Sequence, residues 1–134
     1  MDEAPQAEGV TAGAIERITA GRQVLYLTTT GRISREPREI EIWFVSSGKS
    51  LYVLTEHYFD AQWVKNIQKN SRVKIHIGDY TLEANARIVD ETRDSETWCL
   101  AQRLSREKYG WGDGLPVEIV IENIKTIEAV SRST

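Results

Sequence analysis

Two runs of alternating apolar and polar residues meet at Gly78-Asp79, and they constrain the fold more than any other feature of the chain. Val73, Ile75 and Ile77 alternate with polar residues across Arg72 to Ile77, and Leu82, Ala84, Ala86 and Ile88 do so across Tyr80 to Val89. A period of two is that of a pleated strand with one buried face. Glycine accepts the positive φ needed first in a type II′ turn, so the pair predicts a tight hairpin. The pattern recurs upstream. Gln23 to Thr30 carries Leu25 and Leu27 on one face, with Val24 and Tyr26 on the other. Arg38 to Val45 carries Ile40, Ile42 and Phe44 on one face, with Glu39, Glu41 and Trp43 on the other. Ser46-Ser47-Gly48-Lys49 then reads as a turn into Ser50 to Thr55, where Leu51 and Val53 face inward, so these two strands are expected to form a hairpin. Pro116 to Ala129 closes the set as a strand pair or one bent strand, with Val117, Ile119 and Ile121 alternating.

Three short stretches have helical spacing instead. Thr11 to Ala20 places Ala14, Ile15 and Ile18 on one side, with Thr11 as its cap and Gly21 as its stop. Asp60 to Asn70 has the stripe Trp63, Val64 and Ile67, with Asp60 as the expected N-cap. Asp94 to Tyr109 turns Trp98, Leu100, Ala101 and Leu104 toward the core, and Gly110 to Gly114 follows as a loop. Six or seven strands with so few helices exclude a doubly wound fold, in which strands and helices alternate regularly. The expectation is a mainly β fold, a closed or half-closed antiparallel barrel with short helices, because closure hides strand edges. Residues 1–10 read as a disordered lead and 11–134 as a single domain.

Charge and composition narrow the function. A formal net charge of -3 argues against a dedicated nucleic-acid binder. No apolar run approaches the ~20 residues of a transmembrane segment, and the polar, acidic N-terminus does not read as a signal peptide. One cysteine, Cys99, allows no internal disulfide and fits a reducing cytoplasm. Between Trp98 and Leu100, it reads as a small buried filler rather than a nucleophile. Two histidines, His57 and His76, with one cysteine are too few for the usual structural zinc site. No G-x-S-x-G elbow, Walker loop or G-x-G-x-x-G is present.

Two basic clusters stand out. The strand connection Thr30 to Arg38 holds Arg32, Arg35 and Arg38 against Glu36, a charge of +2, with Ser34 among them. Guanidinium forks, a hydroxyl and loop N–H groups are what a phosphate or carboxylate requires; a solvated hairpin is the other reading. Lys65, Lys69, Arg72 and Lys74 form the second cluster, equally readable as a solvated helix face. Trp43 on the polar side of its strand covers a partner surface or stacks on a flat ligand. Trp111, in the glycine loop, is exposed or a lid. His57, just after a strand, is a ligand donor or simply exposed.

The run Leu27-Thr28-Thr29-Thr30-Gly31-Arg32-x-Ser34-x-x-Pro37-Arg38 resembles the deazaflavin-dependent nitroreductase family, within the pyridoxamine-phosphate-oxidase-like split-barrel group. Leu51 to Leu54 is similar to its third strand, and Gln62 to Val73 to its W-x-x-N-x-x-x-N-P-x-V block. Glu83 to Arg87 is similar to its E-A-x-A-R strand, and Pro116-Val117 to the opening of its closing strand. The resemblance implies an FMN-binding split-barrel-like fold, often a homodimer, that binds coenzyme F420, or alternatively FMN. The cofactor then carries the hydride chemistry, which accounts for the missing catalytic set. Carried over, Arg32 and Ser34 would contact the phosphate or tail, and Arg38, Ile40, Ile42 and Trp43 would lie on the strand under the cofactor. Leu54, Thr55, Glu56 and His57 would lie near the ring, with Gln62, Trp63 and Asn66 closing the site. Arg35 would offer charge in place of the lysine the family has at Ile33. The implied activity is hydride transfer to a quinone- or nitroaromatic-like small-molecule acceptor. An FMN-dependent reductase or oxidase and a non-catalytic cofactor binder are the alternatives.

Overall fold

The computed structural model describes residues 10–126. The expected N-terminal lead, apart from Val10, and the end of the closing strand at Ala129 lie outside the described residues. The element order is α1 (Ala12–Thr19), β1 (Val24–Thr30), β2 (Pro37–Trp43), β3 (Val45–Ser47), β4 (Ser50–Thr55), a 3₁₀ turn (Tyr58–Asp60), α2 (Gln62–Lys69), β5 (Arg72–Ile77), β6 (Tyr80–Ile88), α3 (Ser95–Tyr109) and β7 (Leu115–Thr126). The strands form one seven-stranded antiparallel sheet in the order β2-β1-β5-β6-β7-β4-β3. It is curled into a split β-barrel, as expected. Among the described residues no helix is long and apolar enough to cross a membrane.

The hairpin at Gly78-Asp79 forms as expected. Ile77 pairs with Tyr80 across it, and Gly78 has φ 58°. Leu25, Leu27, Val73, Ile75, Ile77, Leu82 and Ala84 supply one wall of the main core, and Leu51, Val53, Val117, Ile119 and Ile121 another. Thr11 caps α1, its hydroxyl accepting from the Ala14 N–H at 3.0 Å. The closing segment is one strand, not a pair. It carries a bulge at Glu122, where Ala84 faces Ile121 but Glu83 faces Asn123.

The strand containing Phe44 departs from expectation. The alternation predicts a strand that runs through Val45 and pairs with Ser50 to Thr55. Instead β2 pairs only with β1, and the hairpin is β3–β4, turning at Gly48-Lys49 with Ser47 opposite Ser50. The physical reason is local. Phe44 and Val45 are both buried, Phe44 in the main core and Val45 in a second cluster. Two consecutive inward side chains cannot satisfy a period of two, so the strand breaks between them. Because β2 and β3 are opposite edges of the sheet, this short link brings the edges together, and no ladder joins them. The barrel is split at that seam.

The helices show two further corrections. Asp60 does not cap α2. Tyr58 adopts φ 50°, the chain makes a 3₁₀ turn over Tyr58–Asp60, and Ala61 becomes the N-cap with no side-chain hydrogen bond. In α3 the buried stripe is Trp98, Ala101 and Ser105, a spacing of three and four. Cys99 lies about 100° around from Trp98, so it is exposed rather than a core filler. Leu100 is only half-buried, in none of the core clusters. Its sequence neighbours are apolar, but on a helix they are not its spatial neighbours. Cys99→Ser is therefore expected to change stability by less than about 0.5 kcal/mol. The native thiol should react with Ellman's reagent at the rate of an accessible cysteine. Protection until denaturation would contradict this placement.

Candidate functional site

Two grooves flank the inner face of β2. Ile40 lines one and Ile42 the other. Being two positions apart on one strand, they share a face and lie roughly 7 Å from each other. The grooves are therefore neighbours along β2.

The first groove, about 460 Å³, is built on the β1–β2 connection and the start of α2. Gly31, Arg32, Ser34, Arg38, Gln62, Trp63 and Asn66 are among its lining residues. The connection is tightly folded. Gly31 N–H donates to Glu36 O at 2.8 Å and Arg35 N–H to Gly31 O at 2.8 Å. A Cβ at Gly31 would lie 2.7 Å from Ser34 Oγ, so any side chain there would displace the hydroxyl. Ser34 Oγ accepts from Glu36 N–H at 3.2 Å and from Arg38 Nη2 at 3.3 Å. With both acceptor positions used, its O–H remains to donate. Arg32 is held at its base and its tip. Its backbone N–H and its Nη1 both donate to Asn66 Oδ1, at 3.2 and 2.9 Å, and its Nη2 donates to Gln62 Oε1 at 2.7 Å. Asn66 is itself buried, and its Nδ2 donates to Thr29 Oγ1 at 3.1 Å. Among the described residues neither Arg32 nor Arg38 has a carboxylate within ion-pair distance. The loop therefore presents uncancelled positive charge. Arg35 lines neither groove. It is exposed, in the left-handed region at φ 66°.

The second groove, about 780 Å³, lies in the seam between the sheet edges. Ile42, Trp43, Phe44 and Val45 line one side, and Tyr52, Leu54, Thr55, Glu56 and His57 the other. The end of α3 and its following loop cover it with Ser105, Tyr109 and Trp111. Trp43 is 50% exposed on its outer face and stacks on the Tyr109 ring, centroids 4.5 Å apart and planes 13° from parallel. Trp111 is half-buried, neither fully exposed nor a free lid. It packs on the cluster of Val45, Tyr52, Leu54 and Ala101. A Cβ at Gly114 would meet its ring at 2.6 Å, so that close packing needs glycine. Thr55 Oγ1 accepts from the His57 N–H at 3.2 Å and fixes the strand end where exposed His57 sits at the rim.

Lys108 and Tyr109 fasten α3 across the seam. Lys108 Nζ donates to Arg22 O at 2.7 Å and Phe44 O at 3.1 Å, and lies 4.3 Å from the centre of the Phe44 ring. The Tyr109 hydroxyl accepts from Phe44 N–H at 3.1 Å and turns its O–H toward the carbonyls of Gln23, at 2.6 Å, and Phe44. Burial raises the phenol pKa of Tyr109, and burial followed by the Glu118 charge raises that of Tyr52. Burial lowers the ammonium pKa of Lys108.

A prediction follows from this fastening. Tyr109→Phe removes an acceptor and a donor from the seam and should cost about 1–2 kcal/mol of stability by denaturant titration. A raised folded pKa means the two phenols stabilise the fold fully below pH 10.0, their ordinary value, and less as pH climbs past it. Lys108 works in the opposite direction in the window just below its ordinary 10.5. The alkaline loss should therefore begin above about pH 10, and Tyr109→Phe should make it shallower. An unchanged alkaline limb would remove Tyr109 as its cause.

The candidate cofactor contacts thus fall into two adjoining sets, with Arg35 in neither; the second basic cluster, Lys65, Lys69, Arg72 and Lys74, lines neither groove. Tyr52, inside the third-strand block but not singled out in it, completes the seam with Ser105 and Tyr109, which belong to none of the motifs. Tyr109 does extend the stripe Ala101, Ser105 at a spacing of four, directly before Gly110 at φ 79°. That position at the buried end of a helix was the available signal.

The fold is shared with several solved structures. HutZ, the heme storage protein from Vibrio cholerae, superposes with a TM-score of 0.68 at 23% identity, over 85% of this chain and 92% of that one. A candidate pyridoxamine 5′-phosphate oxidase from Listeria innocua gives 0.67 at 18% identity, over 87% and 97%. An F420-H2 dependent reductase, FDR-A, gives 0.58 at 24% identity, over 75% and 95%. Comparison with curated proteins gives no match. The family model for F420H(2)-dependent quinone reductases matches residues 3–122, which span both grooves and every strand but the end of β7. On that match the chain belongs to the F420H(2)-dependent quinone reductase family.

Proposed function

We propose that the chain is an F420-dependent oxidoreductase that reduces a flat quinone- or nitroaromatic-like acceptor, with the cofactor lying along β2. The observation that carries this is that an anion-seeking groove and an aromatic one adjoin along β2, through Ile40 and Ile42. F420 joins a flat ring system to a phosphate and a carboxylate tail. The donor set suits both ends: Arg32, Arg38 and the Ser34 O–H for the anionic part, and Ile42, Trp43, Tyr109 and Trp111 for a ring. Both volumes fall within the range of small-molecule sites, roughly 300–1,000 Å³.

When bound, the reduced cofactor supplies the hydride. The chain's own residues do the rest. Arg32, Arg38 and Ser34 bind the anionic part and set its position along the strand. Ile40 and Ile42 form an apolar floor that keeps water from one ring face. The stacked Trp43 and Tyr109 rings and Trp111 wall the seam with aromatic surface that favours planar acceptors. His57 at the rim hydrogen-bonds an acceptor oxygen. Glu41 and Glu56 line the seam groove and not the arginine groove, so their negative charge falls on the acceptor end.

The reading also includes one domain over 11–134, a cytoplasmic setting in which the lone thiol stays reduced, and a homodimer. Exposed Trp43 and Tyr26, at 50% and 40%, share an outer face with Glu39 and Glu41, and isologous contact would cover it. Light scattering at micromolar concentration that gives only the 15.2 kDa mass would reject the dimer.

The function is tested by fluorescence titration with F420 beside FMN, then by following F420H2 oxidation with menadione and with a nitroaromatic. Saturable F420 binding and acceptor-dependent oxidation are expected. Tight FMN binding with no F420 binding would transfer the site to the alternative cofactor. Binding without turnover would make the protein a carrier.

A further inference from the structure

The anchors of Arg32 differ in kind from those of the ion-paired arginines. Arg72, Arg87, Arg103 and Arg106 each have a carboxylate within ion-pair distance: Glu122, Asp94 with Glu118, Glu107 and Asp113. Arg32 is equally well held, through three hydrogen bonds of 2.7–3.2 Å, but among the described residues only by the neutral amide oxygens of Gln62 and Asn66. An amide oxygen fixes a guanidinium without cancelling its charge, whereas a carboxylate does both. Among the described residues only two of the five guanidinium N–H groups are used, which leaves the other donors for a ligand.

Asn66 is the inner anchor. It is 4% exposed, one turn into α2, and locked from behind by its own bond to Thr29. Its Oδ1 takes both the loop backbone and the side-chain tip of the same arginine. One side chain thus sets both where the loop lies and where its charge points. Gln62, one helical turn earlier at i−4, faces the same side of α2 and takes the second guanidinium nitrogen.

We propose that Gln62 and Asn66 are positioning residues that hold Arg32 through neutral amides so that its full charge is available to the anionic part of the cofactor. Their amide character, not only their size, is the functional property. This rests on the reading of the Arg32 loop as the anion site. It assigns the two residues to Arg32 rather than to the ligand.

The test uses near-isosteric charge changes. Gln62→Glu and Asn66→Asp keep the acceptor oxygens but give Arg32 a carboxylate partner. Gln62 is exposed, so the first variant leaves the core untouched. Each should weaken F420 binding, by fluorescence titration, about tenfold or more, and Gln62→Glu should do so with no loss of melting temperature; Asn66→Asp also gives up the Nδ2 bond to Thr29, so its melting is followed alongside. The loss should appear in KM for F420H2 more than in kcat. Gln62→Leu, which loosens the arginine without neutralising it, should weaken binding only a few-fold. In an Arg32→Ala background both acidic substitutions should have less than threefold effect, because the residue through which they act is gone. Wild-type affinity in Gln62→Glu and Asn66→Asp, or the full loss persisting without Arg32, would overturn the proposal. If Arg32→Ala alone leaves F420 affinity unchanged, the anion-site reading itself fails, which is a separate outcome.

Discussion

Arg32→Ala should weaken F420 binding roughly ten- to a hundred-fold while leaving the fold intact. A charge-assisted hydrogen bond contributes about 1.5–3 kcal/mol, and each 1.4 kcal/mol is a factor of ten in affinity. The guanidinium is already oriented by Gln62 and Asn66, so little entropy is lost when an anion binds it. Removing it costs no ion pair, because among the described residues it has none. Arg38→Ala should act in the same direction but less strongly. Its one described partner is Ser34 at 3.3 Å, it is exposed, and solvent screens it more. Binding should weaken with added salt, and less steeply in either variant. Arg35→Ala is the control. It lines neither groove, and its loss should change affinity less than about twofold, a few tenths of a kcal/mol. Unchanged affinity for both F420 and FMN in Arg32→Ala and Arg38→Ala, with normal melting, would mean that this loop is not the anion site.

Much of this architecture is legible in the chain because period-two alternation is a direct print of a half-buried strand. The Gly78-Asp79 hairpin needs only its own residues, so local chemistry suffices to predict it. The partner of β2 is a different kind of fact. Ile40, Ile42 and Phe44 face inward as their alternation requires, but whether the next strand pairs with β2 depends on what happens after Phe44. The adjacent apolar pair Phe44-Val45 is visible in the sequence. That it marks a jump from one sheet edge to the other depends on the barrel's closure, a property of all seven strands.

The site divides in the same way. The arginine connection and the tryptophan-asparagine block are each recognisable alone, and their contact through Arg32 and Asn66 links residues 34 apart. The seam's outer wall is harder to see. Tyr109 owes its place to a long helix docking on the second cluster through the small Ala101, and nothing local to Tyr109 records that. Cys99 shows the converse error. Its neighbours Trp98 and Leu100 are close in sequence, but the helix turns them to different sides.

Phe44→Ala should be the most destabilising single change among those considered, costing about 3–5 kcal/mol. The ring is 2% exposed and fully within the main core. Its removal loses the transfer energy of a large aromatic and leaves a cavity at the point where β2 hands over to β3. The surroundings cannot collapse easily into that space. The Phe44 backbone is pinned on one side by Lys108 and Tyr109, and Val45 is packed in a different cluster. The ring also supports the Lys108 ammonium 4.3 Å away, so the fastening of α3 loosens with it. Against a typical domain stability of about 5–15 kcal/mol, this is a large fraction. It should lower the melting temperature by on the order of 10–20 °C. The chain's other phenylalanine is the comparison. Phe59 is 49% exposed in the 3₁₀ turn, and Phe59→Ala should stay within about 1 kcal/mol of the unmodified protein. Chemical denaturation of both variants decides the matter. A loss below about 1 kcal/mol in Phe44→Ala would show that the edge-to-edge link does not depend on this side chain and that the seam is held elsewhere.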